Sequence, residues 1–253
     1  MLLLECAGLP GSGKSTISAA LQAWLVASAI PFVDLADFMR VGAARRQAAV
    51  PQRNGKLDLG SKDADILLKS FRYFFLEEPE YTLGYLHALL ELESSRHIRD
   101  LVLSSFNYAC AQRGYFQAKR DRVGAEVVIH EEGLVHRLFT LFGYRTGDPR
   151  DEAILEELAE KTPCPDFLIW TRCSPDVALD RLENRTRKIP ERLVGLRPKE
   201  AADLLGRADR KIETVARILE KRGTRVAEVR TDEHFDDAAF FDSLFRDRSL
   251  RGC

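Results

Sequence analysis

Gly8, Gly11, Ser12, Gly13, Lys14, Ser15 and Thr16 lie within LLLECAGLPGSGKSTISAALQAWL, residues 2–25. Gly8, Gly13, Lys14 and Ser15 satisfy G-x-x-x-x-G-K-[ST] at every position. Residues of these types at this spacing can hold a phosphate chain. Glycines let the backbone wrap an anion and turn several amide hydrogens inward, and a helix amino terminus adds partial positive charge. Lys14 then reaches the terminal phosphates, and the Ser15 hydroxyl can ligate magnesium. A nucleoside triphosphate is the expected guest.

Three further groups bear on what is done to it. Magnesium on a phosphate chain keeps several waters and takes only one or two protein ligands. Ser15 is one candidate. The other is Glu131, which follows the apolar run Val127-Val128-Ile129, with Glu132 as the alternative carboxylate. Asp34 and Asp37 end a second apolar run and are candidates for the base that takes a proton from an attacking hydroxyl. Asp37 is favoured because Asp34 can still lie within the strand, although Asp37 can equally cap a helix starting at Phe38. Arg40 follows closely. Arg181, Arg185 and Arg187, with Lys188 and Arg192 beyond them, form a basic segment suited to closing over a transferring phosphoryl group. Its plainer role is a solvated helix face.

Those residues need a scaffold. At 253 residues the chain can bury a substantial core as one domain carrying an insertion. Strand and helix patterns alternate, which implies a parallel sheet covered by helices on both faces. Strands are expected over 2–7, 30–35, 125–133, 166–173 and 224–229. Helices are expected over 14–28, 198–221 and 234–246, residues 174–193 read as a helix running into a basic segment, and the turn-rich stretch 48–63 reads as a long loop. Residues 63–122 depart from the alternation with three successive helical stretches, near 63–77, 80–97 and 100–120. Phe71, Phe74, Phe75, Leu83, Leu86 and Leu90 are the expected packing positions there. Arg72, Tyr73, Arg113, Tyr115 and Phe116 could line a pocket for the phosphoryl acceptor. The fold class is therefore α/β in three layers, a five-stranded parallel sheet flanked by helices with a helical insertion at about 63–122 and a lid at about 184–197.

Composition narrows the partners. Lysine and arginine number 38 against 39 acidic residues, so nothing draws the chain generally to nucleic acid. No apolar stretch is long enough to cross a membrane, and Met1–Leu4, interrupted by Glu5, reads as a core strand rather than a signal peptide. Five scattered cysteines, no two at metal-ligand spacing, point to reduced thiols in the cytoplasm. Neither an N-K-x-D that would read guanine nor a D-x-x-G before a switch helix is found, and no L-S-G-G-Q-like signature points to a transporter.

GLPGSGKST, VVIHEEG and SPDVALDRLENRTRK resemble the phosphate loop, third-strand carboxylate and arginine-rich lid of P-loop kinases of the thymidylate kinase and deoxynucleoside kinase group. The resemblance spans roughly residues 2–230. It implies ATP and Mg2+ as cofactors, and a small-molecule acceptor, a nucleoside or nucleoside monophosphate, bound between core and helical insertion. It would give Lys14 to the ATP phosphates, Glu131 to magnesium, and Arg181, Arg185 and Arg187 to the lid. The family's acid–arginine pair after strand three is replaced by Glu131-Glu132-Gly133, with Arg137 one helical turn later as a substitute. The glutamate–proline after strand two is also missing. Both departures fall on the acceptor side. A kinase for a sugar, antibiotic or other metabolite hydroxyl, and a nucleotide-binding regulatory module without catalysis, therefore stay open, and a homodimer is compatible with the sequence.

Overall fold

In the computed structural model, residues 1–39, 61–91, 96–143, 149–184, 189–190, 193–233 and 235–246 are described, without the side chains of 61–64, 122 and 246. Arg40, Arg185, Arg187, Lys188, Arg192 and most of the 48–63 stretch lie outside them. Five strands are present: β1 (Leu2–Gly8), β2 (Phe32–Asp34), β3 (Val127–His130), β4 (Phe167–Arg172) and β5 (Arg225–Arg230). They form one parallel sheet in the order β2-β3-β1-β4-β5. The register sets Leu4 opposite Ile129 on one side and Phe167 on the other.

A central strand of such a sheet is buried on both faces, which is why β1 reads as an almost unbroken apolar run. Side-chain alternation divides it. Leu4 and Cys6 pack with Ile17, Leu21 and Leu25 of α1 (Lys14–Ala27) and with Phe241 of α9 (Asp237–Arg246). Leu3, Glu5 and Ala7 turn to the opposite face. There lie α5 (Leu134–Phe142), α6 (Pro149–Lys161) and the long amphipathic α8 (Pro198–Lys221), whose Leu205, Ala208, Ile212 and Leu219 are buried. Lys211, also buried, donates to the Phe142 carbonyl at 2.9 Å and so places a cation at the carboxyl end of α5.

Between β2 and β3 come α2 (Ser61–Glu77), α3 (Pro79–Leu90) and α4 (Arg96–Gln117), the expected helical insertion. The inner face of α3 differs from the expected one. Leu83 and Leu90 are 56% and 79% exposed, while Tyr81, Tyr85, Ala88 and Leu89 are buried. Tyr85 stacks on Phe106 with centroids 3.7 Å apart, and the Tyr81 and Tyr85 hydroxyls donate to the carbonyls of Leu134 and Arg137. A tyrosine whose hydroxyl finds a partner can be buried whole, and these two tie the insertion to α5. Among the described residues no helix is long and apolar enough to cross a membrane.

Candidate active site

The glycine-rich loop runs from the carboxyl end of β1 to the start of α1, the edge of a parallel sheet where ligands bind. Its shape requires its glycines. Gly11 and Gly13 have φ of +83° and +85°, a region that side chains rarely adopt. A Cβ at Gly8 would lie 2.3 Å from the Thr171 carbonyl oxygen, and one at Gly11 would lie 2.5 Å from that of Ala178. Gly13 offers no side chain to cap α1, so the first amides of the helix are left for an anion. The Ser15 and Thr16 side chains are exposed and make no hydrogen bond to another described residue. These features fit a phosphate chain.

Lys14 is buried in this loop and donates from Nζ to the carbonyls of Gly8 and Leu9, both at 3.0 Å. Burial pushes its ammonium down from the usual range, partly countered by Glu132 and Glu131. Threonines at the ends of two strands brace the outer side of the loop. Thr171 meets Ser12 Oγ at 2.8 Å, and Thr231 donates to the Ser12 carbonyl at 2.8 Å. Neither threonine is marked by a motif. Their place one step from strand ends was the available signal.

Arg181 belongs to this brace. It lies on α7 (Pro175–Glu183), which starts at Ser174, whose hydroxyl accepts the Val177 amide as an N-cap. Its guanidinium donates to Thr231 Oγ1 at 2.8 Å and the Thr231 carbonyl at 2.6 Å, with a longer contact to the Gly11 carbonyl at 3.4 Å. Arg185 and Arg187 lie outside the described residues.

The turn after β3 separates its two carboxylates. Glu132 accepts from Arg137 Nη2 at 2.9 Å, and the same guanidinium donates to the Glu132 carbonyl. Nearby cations hold the Glu132 carboxyl down to about 2 against the effect of burial: His136 first, whose charge counts in the acid range where it protonates, then Arg137 and Lys14. Near neutrality the last two carry the effect, because burial and then Lys14 push His136 far below the ordinary histidine range. Glu131 makes no hydrogen bond or ion pair to another described residue, yet acts electrostatically on Lys14. Of the two it is the carboxylate available for a metal. Among the described residues no three acidic, histidine or cysteine side chains gather as a metal cage.

The aspartates lie on the edge strand and the turn after it, with β3 between β2 and β1, and Asp34 still acts electrostatically on Cys6 of β1. Asp34 is the helix cap: its Oδ1 accepts the amides of Ala36 and Asp37 at 2.8 and 3.2 Å, and the helical turn begins at Leu35 rather than Phe38. Asp37 is exposed on that turn. The five residues suggested for an acceptor pocket are not brought together. Arg72 and Tyr73 are exposed, Tyr115 packs on Phe38, Phe116 joins the core with Leu3 and Val128, and Arg113 is buried near Glu5.

A cavity of about 280 Å3 opens instead beside the phosphate loop, lined by Pro10, Leu101, Ser105, His136, Arg137 and Thr140 among others. His136 carried no sequence signal: a lone histidine on a helix is most often structural.

No protein-family model matches the chain, and no curated protein matches it. Solved structures do. A deoxyadenosine kinase from M. mycoides with bound dATP is 11% identical over 97% of this chain and 100% of that one, with a TM-score of 0.46. The same enzyme with bound dCTP is 12% identical over 97% and 99%, with a TM-score of 0.43. A shikimate kinase from Bacteroides thetaiotaomicron is 15% identical over 97% and 98%, with a TM-score of 0.41. The chain's own strand–loop–helix unit, set in a parallel sheet of order β2-β3-β1-β4-β5, gives it the fold of a P-loop kinase.

Proposed function

We propose that the protein is an ATP-dependent kinase that transfers the terminal phosphate to a hydroxyl of a small molecule, in the first instance a nucleoside. The observation that carries this reading is the phosphate loop opening beside a cavity, with Lys14 in the loop and Glu131 on the adjacent strand end. Loop amides, Lys14 and Thr16 hold the phosphate chain, while Ser15 and Glu131 hold Mg2+, which when bound neutralises charge on the phosphates. The acceptor oxygen bonds to the terminal phosphorus as the bond to the bridging oxygen breaks, and the hydroxyl proton leaves to a base.

His136, which lines the cavity, joins Asp37 as a candidate for that proton. Arg137 is the sole lysine or arginine among the described lining residues, and it is occupied by Glu132. An uncharged acceptor therefore suits the cavity better than a monophosphate. Phe139 and the His136 imidazole are the aromatic rings among those residues, 5.6 Å apart and tilted at 51°. They offer a base no parallel pair of faces to lie between, and a sugar or other metabolite alcohol is the alternative.

Phosphorus NMR with magnesium-ATP and pools of nucleosides, nucleoside monophosphates, sugars and aminoglycosides decides among these. A phosphomonoester signal from the nucleoside pool is expected. Because ADP is formed in every case, the result that would refute the uncharged acceptor is loss of the phosphomonoester signal of the nucleoside monophosphate pool with two diphosphates formed per ATP consumed, and ATP binding with no product from any pool would favour a nucleotide-binding regulatory module.

Arg181 gives a second prediction. Because its hydrogen bonds brace the loop, Arg181→Ala should weaken ATP binding roughly tenfold, the worth of one charge-assisted hydrogen bond, with turnover little changed. Calorimetry with a non-hydrolysable ATP analogue, beside steady-state kinetics, separates the two effects. A fall in turnover at unchanged affinity would return Arg181 to the transferring phosphoryl group.

A further inference from the structure

Glu5 is fully buried in the middle of β1, where its neighbours on the same face are Leu3 and Ala7. An ionised carboxylate inside a sheet is costly unless several groups compensate it, and an apolar residue would fill the position without that cost. Two of the compensating groups flank the turn between β3 and α5, and a third comes from α4. Glu5 Oε2 accepts the amide of Val135 at 3.0 Å, one of the amino-terminal amides of α5 that Gly133 leaves uncapped. Gly133 packs so closely that a Cβ there would lie 2.3 Å from the Glu5 carboxyl carbon.

His130, paired with Glu5 in the strand register, presents Nδ1 at 3.6 Å, beyond hydrogen-bonding distance. Its Nε2 meets Gln112 Oε1 on α4 at 3.2 Å. Buried Arg113, next on that helix, supplies a countercharge. Burial alone would raise the Glu5 carboxyl, but His130, Arg113 and the Val135 amide outweigh it and hold the group below the usual carboxylate range. Contacts to Glu5 thus grip both ends of the segment 131–134, which contains the candidate metal carboxylate.

We infer that Glu5 is a positioning residue: from inside the sheet it fixes the turn bearing Glu131, and thereby sets the affinity for the divalent metal without touching metal or nucleotide. This rests on Glu131 being the metal carboxylate. Outer partners of metal ligands commonly contribute ten- to a hundredfold in affinity.

The test uses Mn2+ as a paramagnetic stand-in for Mg2+, with free Mn2+ read by electron paramagnetic resonance in the presence of protein and ADP. Glu5→Leu should raise the half-saturating Mn2+ concentration about tenfold, while metal-free ADP affinity stays at the wild-type value. Combined with Glu131→Gln it should add nothing beyond Glu131→Gln alone, because Glu5 acts through that residue. A wild-type Mn2+ constant in Glu5→Leu, or independent effects in the double variant, overturns the inference. Should Glu5→Leu not fold, Gly133→Ala displaces the same turn from its other side; the same rise is expected, and its absence is equally decisive. If Glu131→Gln raises the constant and Glu5→Leu does not, the inference alone fails. If Glu131→Gln leaves it unchanged, the metal assignment fails and takes the inference with it.

Discussion

Lys14→Ala is expected to lower phosphoryl transfer about a thousandfold, the upper end of what removing one preorganised charge-stabilising donor costs. Phosphoryl transfer leaves the protein little covalent work, so positioning and electrostatics carry the rate. Lys14 is the loop's own cation, already held inside it by the carbonyls of Gly8 and Leu9 at 3.0 Å. Its burial cost is met in the folded protein, and little reorganisation is needed when phosphate arrives. The loop itself should survive the substitution. Ser12 stays bonded to Thr171, Thr231 stays bonded to the Ser12 carbonyl, and Arg181 stays on Thr231. Thermal melting should therefore change little while ATP turnover is lost. Melting and a coupled ADP assay on the same preparation check this. Turnover within tenfold of wild type would remove Lys14 from the chemistry and with it the kinase reading of the loop.

The elements that sequence anticipated well are those whose information is local. The phosphate loop is written within eight consecutive residues, and α8 from Pro198 to Lys221 announces itself by apolar residues recurring at helical spacing over more than six turns. What depends on contacts between distant segments was harder to read. Nothing near Asp34 records that β3 inserts between β2 and β1, or that Asp34 itself caps the turn that carries Asp37. On α3 two apolar stripes compete in the sequence. The leucines Leu83 and Leu90 rank higher by hydrophobicity, but the tyrosines win because α5 presents carbonyls for their hydroxyls. Glu5 looks like an interruption in an apolar strand. It becomes intelligible only when register brings His130 beside it and the Gly133 turn above it. Arg113 similarly reads as an acceptor-binding cation from its aromatic neighbours, whereas in the fold it is buried as a countercharge.

The two carboxylates after β3 should respond to neutralisation in opposite ways. Glu131→Gln should reduce transfer on the order of a hundredfold at limiting magnesium and recover in part as magnesium is raised, as expected when one of very few protein ligands to the ion is lost. Glu132→Gln should leave the magnesium dependence near that of wild type. Its carboxylate is already engaged by Arg137 at 2.9 Å, and its side chain is 56% exposed against 10% for that arginine. Removing the charge leaves the guanidinium with the backbone carbonyl of residue 132 and a neutral amide oxygen, so the loss should appear in stability, about 1 kcal/mol after allowance for solvent screening at the exposed carboxylate. Titrating magnesium in the kinase assay and following urea unfolding of both variants separates the cases. Should Glu132→Gln instead shift the magnesium dependence while Glu131→Gln does not, the metal carboxylate would be Glu132. Arg137 would then have to release it when magnesium binds, making the Glu132–Arg137 pair a competitor of the ion rather than a fixed part of the turn.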